Sequence, residues 1–459
     1  MTHTFRPRKS SGQNQGQNRN RGRGRKEGGL PQVDQAELEG LPEIDFNHFD
    51  KMTAAELAKE CKKHKVSMDQ HRWQVIEQLL QTVNPEHLYG KGVLELANDG
   101  WGFLRRDNYV PSSQDIFVSQ NQVKKHGLRA GDTVFGLARE IREGDKYRGM
   151  LRVESCNGFG TAAPELQTRR DFDKLTPLFP EERFVMETDP DNICGRIIDL
   201  ISPIGKGSRG LIVAPPKAGK TTIVKQIAHA IAVNDPEAIL LVLLVDERPE
   251  EVTDMRRFVK GQVISSTFDE PAENHMRVTD LCLEQAKRMV ESGKDVVILL
   301  DSITRLSRAS NLTINPSGRT LSGGLDPAAL YRPRRFFGAA RNIEEGGSLT
   351  IIATALVETG SKMDESIFEE FKGTGNMEIV LDRELAERRI WPAIDVKRSS
   401  TRHEEKLFNK ASLEGVVQLH RLLANQEKSY EATDSMIKLL RRTPNNAVFL
   451  EGIVSKLKA

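Results

Sequence analysis

The stretch "APPKAGKT", residues Ala214–Thr221, decides what kind of domain this chain contains. A small residue, four free positions and then Gly-Lys-Thr form the pattern of a phosphate-holding loop, with Ala214 standing where glycine is commoner. The apolar run Leu211, Ile212, Val213 before it reads as a strand, and Ile223, Val224, Ile227, Ala228 and Ile231 after it recur at helical spacing. Strand, tight loop and helix come in the required order, which a chance Gly-Lys-Thr in a surface turn does not explain. Backbone N–H groups of such a loop point inward at a helix N-terminus, where the dipole also favours a phosphate. Lys220 is spaced to reach the β- and γ-phosphates of a nucleotide, Thr221 to offer its hydroxyl to Mg²⁺, and Gly219 to let the backbone approach without a Cβ in the way.

Further apolar runs, "AILLVLLVDE", "DVVILLDS" and "SLTIIATAL", are separated by helix-length stretches. Strands buried on both faces and joined by helices mean a parallel sheet in an α/β domain. Two of these runs end in acids. Asp301, closing "VVILLD", suits outer-sphere support of Mg²⁺, and Glu247, closing "LLVDE", suits polarising an attacking water, although spacing alone lets the two roles be exchanged. Ordinary solvated strand ends would not put acids at the ligand-binding edge of the sheet.

Upstream the composition changes twice. Residues 1 to about 30 hold Arg6, Arg8, Lys9, Arg19, Arg21, Arg23, Arg25 and Lys26 among Gly, Gln, Asn and Ser, with almost nothing apolar to bury. Such a segment is expected to be disordered, and either holds RNA loosely through phosphate charge or serves as a solubilising tail. From Met52, a capping Thr53 opens short amphipathic helices that close at Asn84-Pro85. Between Gly92 and about Asn157 short alternating strands, with turns at Asn98-Asp99-Gly100, Ala130-Gly131-Asp132 and Glu143-Gly144-Asp145, suggest a compact β-barrel.

In "GWGFLRR", Trp101 and Phe103 are two apart, so a strand shows both rings on one face with Arg105 following on the same side. Rings beside a guanidinium form a stacking platform for unpaired bases, as on oligonucleotide-binding and cold-shock barrels, and Phe117 and Tyr147 are positioned to extend it. The competing possibility is that the rings face the barrel core, but glycines at 100 and 102 leave the face open.

The whole chain sets the outer bounds. Its 459 residues allow several domains, and the formal net charge of only +2 conceals the uneven distribution just described. No run of about 18 apolar residues exists, so no membrane span is expected, and the polar, basic start argues against a secretory signal. Cys61, Cys156, Cys194 and Cys282 lie scattered with no Cys-x-x-Cys pair and read as reduced thiols of a cytoplasmic protein.

Taken together, "GWGFLR", "APPKAGKT", "VDERPEEVTDM", "LLDSITRLSRA", "LYRPRRFFGAARNIEEGGSLTIIATAL", "GSKMDE", "FKGTGNME" and "RRIWPAIDVKRSSTRHEE" make the chain from about Met52 to Ala459 resemble the family of bacterial transcription termination factor Rho. Two departures are the Arg/Gly tail and Trp101 where Phe is usual. The resemblance implies a multidomain α+β protein: a disordered basic tail (1–48), a small N-terminal helical module (49–90), an OB/cold-shock-like β-barrel that binds RNA (91–160), a linker (161–192) and a RecA-like α/β P-loop ATPase (193–459). It implies a homohexameric ring with the catalytic pocket between subunits, using ATP and Mg²⁺ and acting on single-stranded RNA and the RNA polymerase elongation complex.

By motif match, Lys217, Ala218, Gly219, Lys220, Thr221 and Thr222 hold ATP, Thr221 and Asp301 serve the metal, and Glu247 activates water. Arg248 follows Glu247 in the same motif, Arg402 matches an arginine finger offered by the adjacent subunit, and Arg389 is its companion. Trp391 falls where the family stacks an aromatic on adenine, its alternative being a core tryptophan. Arg319 in "NPSGRTLSGG" and Lys362 in "ETGSK" match pore loops that grip RNA, although loops of this composition are also common on plain surfaces. The activity implied is an ATP-dependent RNA helicase or translocase that terminates transcription. The alternatives are an RNA-binding RecA-like motor acting in another RNA process, a passive RNA-binding protein with a decayed ATPase, and a rotary-synthase or DNA-recombination relative. The intact Lys220, Thr221, Glu247, Asp301 and Arg402 argue against the passive protein, and the barrel joined to such pore loops against the last.

Overall fold

The computed structural model describes residues 40–458 apart from Glu143, so the Arg/Gly segment and part of one expected turn lie outside the described residues. Helix Phe46–Asp50 is the first element among the described residues and lies partly inside the stretch 1–48 read as tail. Its start is fixed because Phe46 and Phe49 are buried and the Phe46 N–H donates to Glu154 Oε2 at 2.9 Å. Helix Ala54–His64 begins with the expected Thr53 cap, which forms a full capping box with Glu56, and helix Arg72–Val83 ends at Asn84. Phe46, Phe49, Leu57, Ile76 and Leu79 pack together with Phe135 of the barrel, so the helical module shares its core with its neighbour.

Strands Tyr89–Leu96, Gly102–Arg105, Ile116–Val118, Thr133–Ala138 and Arg148–Cys156 form an antiparallel sheet that the parallel pairing of Ile116–Val118 with Arg148–Cys156 closes into a barrel. Leu94, Leu104, Ile116, Val118 and Val134 fill its interior.

Residues 161–192, read as a linker, pack rather than float. Phe172 is fully buried in the core of the large domain, and Arg169 donates to both carboxylate oxygens of the barrel's Asp132, at 2.5 and 2.7 Å. A buried ion pair is retained only where its geometry is satisfied on both sides, and here it ties the barrel to the segment that leads into the large domain.

In the large domain the strand order is Gln262–Thr267, Ile239–Glu247, Asp295–Asp301, Ser348–Leu356, Arg209–Ala214, Met377–Val380, with Ser400–Thr401 antiparallel at the edge. Alternate residues of one strand enter different cores. Leu240, Val242 and Leu244 face helix Lys220–Asn234 and the C-terminal helices, while Leu241, Leu243 and Val245 face helix Ala272–Val290. Because both faces are covered, the sequence reads as unbroken apolar runs rather than alternation. All strand C-termini of the parallel set therefore point at one edge, where the loop and both acids emerge. All four cysteines are free and buried, and burial pushes the Cys194 and Cys282 thiols up to about 12. Among the described residues no helix is long and apolar enough to cross a membrane.

Candidate active site and nucleic-acid interface

The loop leaves the central strand at Ala214, and helix Lys220–Asn234 begins directly after Gly219. Gly219 has φ +88, and a Cβ there would lie 2.9 Å from the Trp391 ring, so this position needs glycine both for its backbone and for the close approach of the indole. Trp391 is 43% exposed, which removes the core-tryptophan alternative and places its ring over the phosphate loop. Lys217 also has positive φ, at 66°, and is exposed with Thr222, while Ala218 is buried beneath the turn. Thr221 occupies the first turn of the helix, beside Lys220.

Lys220 Nζ sits 2.8 Å from Glu247 Oε1 and 2.5 Å from Asp301 Oδ1. Strand order explains the meeting: the strands of Glu247 and Asp301 are neighbours, with Leu244 opposite Asp301, and the loop strand lies just beyond the intervening Ser348–Leu356. Asp301 is fixed from below by the Thr354 hydroxyl at 2.7 Å. Burial pulls the Lys220 ammonium toward neutrality, but Asp301 and Glu247 outweigh it and hold its pKa above the ordinary lysine value. Glu247 is pushed up, first by burial and then by the neighbouring Asp301 charge, with Lys220 and Arg305 opposing. A carboxylate raised in this way is a stronger base than a solvated one.

Sequence reading did not single out Arg305 or Thr354. Arg305 Nε lies 3.5 Å from Glu247 Oε1 and its Nη1 is 3.1 Å from Asp246 Oδ2, so it braces the Glu247 turn, where Asp246 has φ +58. The signal was present in "DSITR", which places an arginine one helical turn after Asp301. Thr354 carried no local signal, because its partner is 53 residues away.

Three arginines stand apart from this cluster. Arg248 is exposed and 3.7 Å from Glu251. Arg389, with φ +59, is exposed just before Trp391, and Arg402 is exposed beyond the edge strand, its N–H donating to the Asn376 carbonyl at 2.7 Å. Within one chain neither Arg389 nor Arg402 pairs with Glu247 or Asp301.

On the barrel, Trp101, Phe103, Phe117 and Tyr147 form one ring cluster. The Trp101–Phe103 centroids are 5.5 Å apart, Trp101–Phe117 5.8 Å and Phe103–Tyr147 4.6 Å. Trp101, Phe103 and Tyr147 are partly exposed and Phe117 is buried, so Phe117 is the floor on which Trp101 and Phe103 lean, with Tyr147 against Phe103. Arg105 shares the face, its guanidinium carbon 4.9 Å from the Phe103 ring centre. It is nevertheless buried, held by Glu95 at 2.6 Å and by Asp115, so it stiffens the platform from beneath rather than standing open beside it. Gly102 packs against the Glu95 carbonyl, where a Cβ would come within 2.6 Å, which lets the ring-bearing strand lie close to its partner.

The two glycine-rich loops meet at one place. Gly323 packs on the backbone of Met363, and the Ser366 hydroxyl donates to the Ser322 carbonyl at 3.3 Å. The buried Asp364 takes two hydrogen bonds from Arg308, at 2.8 and 2.6 Å, and one from Thr359 at 2.7 Å. This bracing leaves Lys362 at the start of helix Lys362–Lys372 and Arg319 in the preceding loop, both exposed, and the Arg319 side chain has no partner among the described residues.

Residues 90–161 match the model of the Rho termination factor RNA-binding domain, and residues 195–401 that of the ATP synthase alpha/beta family nucleotide-binding domain. Transcription termination factor Rho of Aquifex aeolicus is 54% identical over 386 residues, covering 83% of this chain and 88% of the relative. Rho of Bacillus subtilis is 51% identical over 418 residues, covering 90% and 96%. Among solved structures, an ATPase from the type III secretion system of pathogenic bacteria superimposes with TM-score 0.51 at 23% identity over 62% of this chain and 87% of that one, a likeness of fold.

Proposed function

We propose, from the premise that this chain belongs to the family of transcription termination factor Rho, that it is an ATP-driven RNA translocase which releases RNA from transcribing polymerase. The observation that carries the proposal is the presence, on one chain, of a ring platform for unpaired bases and a phosphate loop whose lysine is shared by two acids.

The division of labour follows from the chemistry. Lys220 exchanges its carboxylate partners for the phosphates of ATP, the loop's N–H groups hold the same phosphates, and Trp391 offers its face to the adenine. Glu247, with its raised pKa, orients the attacking water and takes its proton. The donor set fits Mg²⁺, since Asp301 and Glu247 already direct hard carboxylate oxygens onto one cation beside Thr221. Thr221 and Asp301 would hold that ion, which neutralises charge on the β- and γ-phosphate oxygens when bound.

Arg402 and Arg389 lie exposed and away from Glu247 in their own chain, which suits service in a partner subunit's pocket and so a ring of subunits. Arg319 and Lys362, on two loops braced together, are placed to grip an RNA backbone as the ring passes along it. Such a protein acts where transcription occurs, in the cytoplasm.

The test is a stalled elongation complex carrying a cytidine-rich transcript, to which purified protein and ATP are added. ATP-dependent release of the transcript is expected. RNA-stimulated hydrolysis with no release would instead make the chain an RNA motor of another process.

A further inference from the structure

A cavity of about 500 Å³ lies between the helical module and the large domain, with Lys294 in its wall beside Arg72, Trp73, Lys206 and Glu237. Lys294 stands where three parts of the protein meet. It belongs to the large domain, its Nζ donates to the Asn157 carbonyl of the barrel at 2.7 Å, and it lies 5.4 Å from the Trp73 ring of the helical module and 5.2 Å from the Phe159 ring. Lys206, in the same wall, pairs with Glu182 at 2.6 Å and Asp295 at 2.9 Å. Lys294 forms no ion pair among the described residues, which leaves it an amine between aromatic walls with a single carbonyl acceptor.

We propose that Lys294 is a modification site, acylated by small activated donors of the acyl-phosphate class that enter this cavity. The amine attacks the acyl carbon, the carbon–nitrogen bond forms as the bond to the phosphate oxygen breaks, and the departing phosphate carries away the amine proton. No further reactant is needed. The product is a neutral amide where an ammonium had joined the three parts.

The surroundings supply the reactivity. Burial first, and then the charge of Lys91, lower the Lys294 pKa to about 8, against the opposing pull of Glu77, Cys156 and Glu237. Lys91 itself lies 3.9 Å from the Trp73 ring centre and pairs with Glu77 at 2.9 Å, so its positive charge is fixed nearby. His71, also in the cavity wall, is pushed below the ordinary histidine value by burial, with Glu237 opposing, and adds little positive charge at neutral pH. At pH 7.5 an amine with a pKa near 8 is about one quarter free base, whereas an ordinary exposed lysine is only about 0.1% so. Nucleophilicity falls with pKa and access is narrower, so a net advantage of about 10-fold in acylation rate is expected.

The experiment treats the full-length protein with acetyl phosphate at pH 7.5 and quantifies early acetylation at each lysine by mass spectrometry after cleavage at acidic residues. It needs no ATP or RNA, so its failure is distinguishable from failure of the motor reading. Lys294 is expected to lead exposed lysines such as Lys65 and Lys428 by about 10-fold, with a rate that rises to a half-point near pH 8 and then levels. The variant Glu77→Gln, which removes an opposing charge, should move that half-point to lower pH. A Lys294 rate no greater than that of the exposed lysines, or one that climbs without levelling to pH 10, would overturn the proposal.

Discussion

The barrel face and the phosphate-loop pocket solve recognition in opposite ways. On the barrel, Trp101 and Phe103 rest on the buried Phe117 with Tyr147 against Phe103, and the Arg105 guanidinium beside them is spent internally on Glu95 and Asp115. In the pocket, charge is concentrated, and Lys220, Glu247, Asp301 and Arg305 form one connected set. Stacking on rings accepts any base and grades affinity in small steps. A buried charge cluster is unforgiving, because removing one member strands the others without a partner. Damage to the barrel should therefore weaken the protein by degrees, whereas damage to the pocket should stop it.

The largest effect expected is from Lys220→Ala. Hydrolysis should fall to background, about 10³-fold or more, while single-stranded RNA still binds the barrel with near wild-type affinity. Hydrolysis close to wild type, measured by phosphate release, would remove the contrast at its stronger end.

Next comes Arg402→Ala, for which a loss of about 10³ to 10⁵ is expected if the finger serves a neighbouring pocket. Mixing these subunits with inactive Glu247→Gln subunits should regenerate some interfaces with both native residues. Recovery should be sought in single turnover as well as steady state, since sequential firing around a ring can mask it. If mixed rings form and neither assay recovers, Arg402 acts within its own chain.

Phe103→Ala should be milder. Loss of one stacked ring costs about 1 to 3 kcal/mol, or roughly 5- to 150-fold in RNA affinity, with hydrolysis at saturating RNA retained. A complete loss of hydrolysis at saturating RNA would mean that the platform is part of the motor rather than its antenna. Smallest of all is deletion of residues 1–30. If the Arg/Gly segment contributes only phosphate charge, the slope of log affinity against log salt should flatten by about 0.7 for each phosphate no longer neutralised, and an unchanged slope would favour the solubilising role.

How much of this was legible depends on the range of the interaction. The phosphate loop, its strand and its helix are contiguous, so "APPKAGKT" with its flanks carried the fold of the large domain. The Thr53 cap and the stop at Asn84 are local in the same way and fall where the pattern put them. Period two placed Arg105 on the side of Phe103, yet not its burial, because Glu95 and Asp115 reach it across strand pairings whose register no local pattern states. Thr354 was passed over for a related reason, since its role exists only once strands whose partners are 53 residues apart lie side by side, whereas Arg305 left a local signal in "DSITR". The tail boundary at residue 48 ran past Phe46, since a short helix held by a distant glutamate leaves little trace in composition. Segment 161–192 read as a linker because its prolines and charges hide single anchors, Arg169 and Phe172, whose partners lie in other domains.

The central claim is that RNA held on the barrel drives hydrolysis in a pocket built from other residues of the chain. Its most direct test is ATP hydrolysis by the purified wild-type protein as cytidine-rich single-stranded RNA is titrated in, with Phe103→Ala alongside. The account predicts strong stimulation that saturates with RNA, and for Phe103→Ala the same plateau reached at higher RNA concentration. Hydrolysis at a rate indifferent to RNA would contradict it.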